Sequence, residues 1–143
     1  MKKPVRLVVD ANPILSALLG GTSRRVFFDS GIQEFTVPDS VLKEVTTYLP
    51  ELARKLGQEV AFLTYALDLL PLTRYAASSY RKSLNEAKAR IEARDPKDVD
   101  VLALTLALGY PLWSNDRDFE GTGIERFTTA QLLKVLFEQE TEG

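Results

Sequence analysis

Residues 94–119 read RDPKDVDVLALTLALGYPLWSNDRDF, and this stretch decides the fold. It begins with an acidic cluster that contains a proline, continues into an almost wholly apolar helical run, 101–108, and breaks at Gly109. A short apolar strand is predicted over 111–113, and a second acidic cluster comes directly after it. A helix that is apolar nearly all round must be buried. Carboxylates therefore lie at both ends of a buried unit, which costs free energy unless they cap helices or bind a cation.

The composition limits the chemistry that this chain can perform. Its 143 residues suit one compact domain, with 45% hydrophobic and 27% charged residues, as is usual for a soluble globular protein. The chain has no cysteine and no histidine, which excludes disulfides, thiolate nucleophiles, histidine-based zinc sites and Ser-His-Asp triads. A net charge of -2 argues against a large basic face that binds nucleic acid by electrostatics alone.

No segment of the sequence has the character of a membrane span or a secretory signal. The longest apolar stretch, 101–108, is well short of a membrane span. The apolar run 5–9 near the N-terminus is too short for a signal sequence, and Asp10 closes it. We therefore expect a cytoplasmic protein without a membrane partner.

Strand and helix patterns alternate along the chain. Strands are predicted over 5–9, 34–37, 70–72, 111–113 and 124–127. The intervening segments are predicted helices, including a long one over 76–94 whose apolar positions recur on one face. This alternation predicts a single α/β domain, 1–143, with a central, mostly parallel sheet flanked by helices. The acidic tail, 138–143, is expected to fray.

Two aspartates follow predicted strands. Asp10 ends the first strand and precedes Ala-Asn-Pro, where Asn12 is a plausible N-cap and Pro13 suits the first helical turn. Asp116 follows the strand 111–113. In open α/β sheets the working crevice lies beyond the carboxyl ends of the strands, so parallel neighbours would bring both carboxylates to one edge. The alternative makes Asp10 a turn residue that caps the next helix.

Asp98 has a strong structural alternative to a functional role. Asp95 fits an N-cap, Pro96 fits the first helical position, and Asp98 then falls in the first turn, where the helix dipole favours an acid. Capping can explain Asp95 entirely. The sequence leaves Asp98 evenly divided between a cap and a site.

The remaining candidate acids are less distinctive by themselves. Glu44 borders the apolar face of a predicted helix, although most helical glutamates are simply solvated. Asp116 and Asp118 lie in a cluster that turn chemistry can explain. Ser114, two residues before Asp116 and directly after an apolar strand, favours instead a site at the mouth of that strand.

Taken in order, these acids resemble those of the PIN-domain nucleases, many of which are toxins of VapBC toxin–antitoxin systems. The resemblance spans nearly the whole chain, and these features carry it: Asp10 after a hydrophobic strand, Glu44 early in a helix, Asp98 before an apolar helix that ends in glycine, and Ser114-x-Asp116-x-x-Phe119. It implies that these four acids form the site. Asn12 and Ser114 match supporting positions, with Ser114 where threonine is more usual.

A metal-dependent mechanism is the hypothesis that fits such a set. Two unit charges about 4 Å apart repel by roughly 4 kcal/mol at an effective dielectric of 20. Oxygen ligands without histidine suit Mg²⁺ or Mn²⁺, which can activate water to cut a phosphodiester. We expect Asp10, Asp98 and Asp116 to hold the metal, directly or through water. Glu44 would ligate the metal or orient the attacking water.

The resemblance also implies partners and a substrate. Single-stranded RNA is the implied substrate, with a homodimer and a small antitoxin as implied protein partners. Cationic side chains near the predicted mouth can steer phosphates, although solvated surface is the simpler account: Arg24, Arg25, Lys43, Lys97 and Arg117.

Two other functions stay open at the level of the sequence. A haloacid-dehalogenase-like phosphatase also has an aspartate after its first strand, but it needs a second aspartate at the position of Asn12. A catalytically silent PIN-like binding module is the other alternative, and retention of all four acids argues against it.

Overall fold

The computed structural model describes residues 2–138. Its centre is a five-stranded, wholly parallel sheet with the strand order β3-β2-β1-β4-β5. The strands are β1 (Arg6–Val9), β2 (Glu34–Pro38), β3 (Leu72–Tyr75), β4 (Leu112–Trp113) and β5 (Arg126–Phe127). The predicted α/β class with a parallel sheet is confirmed. Apart from Glu138, the predicted acidic tail lies outside the described residues.

Helices connect β1 to β2, β2 to β3 and β3 to β4, as is usual for parallel strands, whereas only a 3₁₀ turn lies between β4 and β5. The helices are α1 (Ala11–Leu18), α2 (Ser23–Asp29), α3 (Asp39–Leu56), α4 (Val60–Leu69), α5 (Leu84–Ile91), α6 (Val99–Leu108) and α7 (Thr129–Phe137). Short 3₁₀ turns occupy Ala77–Ser79, Arg81–Ser83, Pro96–Asp98 and Arg117–Phe119. None of the helices within residues 2–138 is long and apolar enough to cross a membrane.

The core explains why the central stretch is so apolar. In α6, residues 101–105 are all buried, and Leu112 and Trp113 of β4 are fully buried. The centre of the Trp113 ring lies 4.8 Å from the centre of the Phe27 ring and 6.0 Å from that of the Phe35 ring. These contacts pack β4 against α2 and β2. Aromatic clusters of this kind contribute beyond their buried area.

The register of the central strands positions the site. Val9 of β1 pairs with Trp113 of β4 in parallel register. The next residues along the two strands, Asp10 and Ser114, therefore leave the sheet side by side at its carboxyl edge. Residues 7–9 of β1 do not alternate between apolar and polar, because both faces of this central strand are buried.

Two of the predicted elements differ from the structure. The long helix predicted over 76–94 is wrong in its first half, where two 3₁₀ turns precede α5. The serines of this segment compete with helical hydrogen bonding, and Tyr80 is buried with its hydroxyl bonded to Asp100. The edge strand predicted over 70–72 begins only at Leu72, after Pro71, which has no N–H for a ladder.

Candidate active site

A cleft of about 390 Å³ opens at the carboxyl ends of β1 and β4. Its walls are Asp10, Ala11, Asn12, Leu15, Glu44, Asp95, Lys97, Asp98, Asn115 and Asp116. All four acids predicted from the sequence line this one cleft. Ser114, the other predicted supporting residue, is fully buried and bonded to Asp10. The position is the one at which open α/β sheets bind ligands.

Asp10 is fixed by bonds to both of its carboxylate oxygens. Oδ1 accepts the Ala11 N–H at 2.8 Å, and Oδ2 accepts the Ser114 hydroxyl at 2.7 Å. Ser114 Oγ in turn accepts the Asp116 N–H at 3.0 Å, so one buried hydroxyl links two acids. Burial raises the pKa of Asp10, although the hydrogen bonds that Asp10 accepts from the Ser114 hydroxyl and the Ala11 N–H oppose the shift.

The predicted capping role of Asn12 is wrong, because Asp10 is the N-cap of α1. Asn12 lies inside the first turn, and its Oδ1 accepts the side-chain amide of Asn115 at 3.0 Å. That amide also donates to the Thr129 hydroxyl at 3.1 Å, while Asn115 Oδ1 accepts the Thr129 N–H at 2.8 Å. Asn12 thus supports the cleft wall through Asn115, which the sequence analysis did not single out.

Asp98 is a buried acid that does not cap its helix. Its side chain makes no capping bond to α6, whereas Asp95 caps the preceding turn by accepting the Lys97 N–H at 2.9 Å. Asp98 Oδ2 is buried and lacks a hydrogen-bond partner among the described residues. Burial, followed by repulsion from Asp10 and Asp116, raises the pKa of Asp98 to about 8. The structure therefore assigns the cap to Asp95 and shows that Asp98, which the sequence left ambiguous, makes no capping bond.

The tightest group of carboxylates differs in part from the predicted set. One carboxylate oxygen from each of Asp95, Asp98, Asp116 and Asp118 lies within 4.8 Å of the others. Two of these acids were predicted ligands, and the other two were not. Asp118 also shows turn chemistry, since its N–H donates to Asp116 Oδ1 at 2.9 Å. The only signal in the sequence was their position two or three residues from a candidate.

Glu44 approaches the cleft from α3. The side chain is exposed, and partial desolvation followed by repulsion from Asp10 raises its pKa, while Lys97 acts in the opposite direction. It is thus an exposed carboxylate at the rim, in contrast to the fixed Asp10 and the buried Asp98. An exposed acid at the rim suits contact with water or substrate.

Cations near the cleft fall into two groups. Lys97 lines the cleft itself, and Lys43 lines an adjoining groove. Arg24 donates to the carbonyl of Ala17 at 2.7 Å, and the Arg25 guanidinium lies 3.8 Å from the centre of the Phe137 ring. The two arginines therefore stabilise helix packing, whereas the two lysines are placed to meet a ligand of the acids.

The donor set fits a hard divalent cation. All the acidic ligands are oxygens, at least one of them is buried without a partner, and several repel one another. Such a set is stabilised by a cation that accepts oxygen ligands, as Mg²⁺ and Mn²⁺ do. Asp98 and Asp116 belong to both the predicted set and the observed group of carboxylates.

Fold and cleft together define a class: a parallel α/β domain with a group of carboxylates at the carboxyl edge of its sheet. The sequence profile of the PIN domain matches residues 8–138. The chain therefore belongs to the PIN-domain family, and the resemblance inferred from the ordered acids is confirmed at that level. No curated protein matches the chain.

Solved structures agree on the fold. A chain of the VapBC2 structure from Rickettsia felis, bound to a DNA fragment from its promoter, superposes with a TM-score of 0.65 at 12% identity. The match covers 86% of this chain and 98% of that one. A chain of a toxin–antitoxin complex from Klebsiella pneumoniae gives 0.63 at 16% identity, covering 86% and 97%. At such low identity these matches establish the architecture.

Proposed function

We propose that the protein is a metal-dependent endoribonuclease that cuts single-stranded RNA. The observation that carries the proposal is the buried, unpartnered Oδ2 of Asp98, in a cleft shared with Asp10, Asp116 and Glu44. A protein without a ligand to neutralise them has little reason to bury acids together. Membership of a family of nucleases supports the same conclusion.

Asp98 and Asp116 are proposed to hold Mg²⁺ or Mn²⁺, with Asp10 and Glu44 as further ligands directly or through water. When bound, such a cation lowers the pKa of its water and offsets the charge that develops on the phosphate. Asp95 and Asp118 each place a carboxylate oxygen within 4.8 Å of those of Asp98 and Asp116, and they would supply further oxygen ligands. Histidine, absent from the chain, is not needed for this chemistry.

The side chains of the cleft have distinct proposed roles. Glu44, at the exposed rim, accepts a hydrogen bond from the attacking water at its carboxylate and can take up its proton. Ser114 holds the Asp10 carboxylate in one orientation through its hydroxyl. Lys97 lies beside the acids, where its ammonium can approach a substrate phosphate.

We further propose that the protein is a cytoplasmic toxin that an antitoxin neutralises. The solved structures that share its fold are, by their descriptions, VapBC and toxin–antitoxin complexes. We also expect a homodimer, as the family resemblance implies. Exposed apolar side chains on α4, Phe62, Tyr65 and Leu69, are 56–64% exposed and would be covered by such an interface.

The first test is cleavage of end-labelled single-stranded RNA by protein stripped of metal. Addition of Mn²⁺ or Mg²⁺ is expected to restore cutting in the wild type. Asp10→Asn and Asp98→Asn, purified identically, are expected to lose it by about a hundredfold or more, since each removes a charge from the metal site. Asp68→Asn, an exposed acid on α4 outside the cleft, is the matched control and should cut normally.

Three outcomes would contradict the proposal in different ways. Cutting that survives Asp10→Asn points to a contaminating nuclease. Metal that raises the melting temperature without any cutting indicates a metal site with another substrate. Neither cutting nor a response to metal favours the catalytically silent binding module.

The toxin role is tested separately in cells. Expression of the wild type is expected to arrest growth, and Asp98→Asn is expected to relieve the arrest at equal protein level. Co-expression of the neighbouring reading frame should relieve it as well. Growth that is unaffected by the active nuclease would favour a housekeeping ribonuclease.

A further inference from the structure

A second cavity, of about 750 Å³, adjoins the acidic cleft between α3 and the start of α6. Leu15, Glu44 and Lys97 line both spaces, so the two adjoin one another. The volume lies in the range of roughly 300–1,000 Å³ that is typical of small-ligand sites. A polymer with one phosphate at the acids therefore has a neighbouring space for an adjacent group.

The wall of this cavity contains an aromatic residue, Tyr48. Tyr48 of α3 is half-buried and lines the cavity together with Leu15, Val41 and Pro96. Its hydroxyl accepts a hydrogen bond from the Lys55 ammonium at 3.1 Å, and the same nitrogen lies 5.6 Å from the ring centre. A half-buried aromatic ring beside the proposed cleavage site is the kind of surface on which a base stacks.

Charges of both signs line the cavity, namely the carboxylates of Glu44, Glu51 and Asp100 and the ammonium groups of Lys43 and Lys97. Lys43 and Lys97 are exposed on its walls and provide cations for backbone phosphates. Asp100 also lines it, and its carboxylate is anchored by the hydroxyl of buried Tyr80 at 2.5 Å. An anchored carboxylate only accepts hydrogen bonds, and the exocyclic amino groups of cytosine, adenine and guanine donate them.

We propose that this cavity, the base pocket, binds one nucleobase next to the cleaved phosphate, stacked on Tyr48. The proposal rests on the proposed ribonuclease function and names the part of the chain that selects its substrate. Asp100 accepts a hydrogen bond from the exocyclic amino group of cytosine, adenine or guanine, and because uracil has only its ring N3–H to donate, we expect bases with an amino group to bind better. Lys43 and Lys97 contact the flanking phosphates.

Binding without cleavage provides the first test. The ¹⁵N-labelled wild type is titrated with CMP, AMP, GMP, UMP and, as the control without a base, ribose 5-phosphate. Shifts at the amides around Tyr48 are expected with CMP, AMP or GMP, weaker with UMP, and absent with ribose 5-phosphate. Equal responses to CMP and ribose 5-phosphate, or no response near Tyr48, would overturn the base pocket.

Kinetics provide the second test. Tyr48→Ala is expected to raise KM for a short RNA about tenfold to a hundredfold with kcat little changed, since stacking is lost and the metal ligands are retained. Tyr48→Phe keeps the ring and should retain the wild-type KM. A substrate with one abasic residue next to the cut should show the same loss in the wild type. An unchanged KM for Tyr48→Ala would place the base elsewhere and leave this groove for a protein partner.

The two proposals fail separately. Base-dependent binding near Tyr48 in a protein that never cuts RNA would refute the ribonuclease and support the base pocket. Metal-dependent cutting with an unchanged KM in Tyr48→Ala, and no base-dependent shifts, would support the ribonuclease and refute the base pocket.

Discussion

Acids inside the cleft and acids on the remaining surface differ in what neutralises them. Within residues 2–138 the acids of all four ion pairs lie outside the cleft: Glu51 with Lys55, Asp39 with Arg74, Glu86 with Arg90, and Glu120 with Arg126. In the cleft, Asp10 and Asp116 instead accept hydrogen bonds from N–H and O–H groups, and Asp98 Oδ2 has no partner among the described residues. The ion-paired surface acids thus have a counter-charge in the chain itself, whereas no ion pair within residues 2–138 neutralises a cleft acid.

Acids that are buried together without a counter-charge destabilise the folded protein, and a bound cation would offset this destabilisation. Burial together with mutual repulsion makes the charged form of Asp98 unfavourable in the metal-free protein. Functional sites commonly carry such destabilising features.

The stability of metal-stripped protein should fall as pH rises from about 4 to 8. In that range the folded state keeps a proton on Asp98, whose pKa is raised from 3.8 to about 8, while the unfolded state has released it. Stability from this group is therefore greatest at low pH and decreases by more than about 1 kcal/mol per pH unit. Urea denaturation at several pH values measures the slope.

Asp98→Asn supplies the control for that slope. The variant has no proton to release, so its profile is expected to be flatter and its stability at pH 8 higher than that of the wild type. Saturating Mn²⁺ should likewise stabilise the wild type most at high pH. Parallel profiles for the two proteins would show that Asp98 is not the group responsible.

Ser114→Ala should reduce RNA cleavage by about 10- to 100-fold, the usual cost of losing a group that orients a metal ligand. The hydroxyl bonds Asp10 Oδ2 and accepts the Asp116 N–H, so both acids lose their support. Metal-dependent cleavage rates measure the effect. Ser114→Thr keeps the hydroxyl and should retain most of the activity, and an equal loss in both variants would indicate a packing defect instead.

Thr128→Ala should destabilise the fold by about 1 kcal/mol without changing the acids. Thr128 forms a capping box at the start of α7, in which its Oγ1 accepts the Gln131 N–H and its own N–H donates to Gln131. Urea denaturation is the measurement, with RNA cleavage well below the melting temperature expected to be unchanged. Reduced cleavage at full stability would mean that α7 supports the cleft through Thr129.

Asp39→Asn should have the smallest effect, within about 0.5 kcal/mol, because its pair with Arg74 is exposed on the surface. Both stability and cleavage should match the wild type. A large loss of stability in Asp39→Asn would show that this surface ion pair contributes to folding much more than an exposed pair is expected to. Denaturation at low and high salt would then show how far charge pairing is responsible.

Features that depend on residues close together in the sequence were predicted better than features that depend on distant residues. Local signals gave correct predictions: Asp95 is a cap, as its sequence context indicated, because a capping bond reaches only two or three residues. The continuous helix predicted over 76–94 was wrong in its first half, because helical periodicity did not show that the Tyr80 side chain would turn inward to bond Asp100. Asn12 was misassigned because Asp10, two residues earlier, competes for the same capping role.

The sequence by itself determined the α/β class, the strand ends at which the acids occur, and the family, because the periodicity and the order of the acids can be read along the chain without knowledge of its tertiary contacts. Only the tertiary structure decided which carboxylates have an ion-pair or hydrogen-bond partner. The pairing of β1 with β4 brings Asp10 to Ser114, 104 residues away in the chain, and the packing of α6 buries Asp98 without a partner among the described residues. Desolvation and repulsion depend on groups that meet only when the chain is folded, so no spacing along the sequence can reveal them.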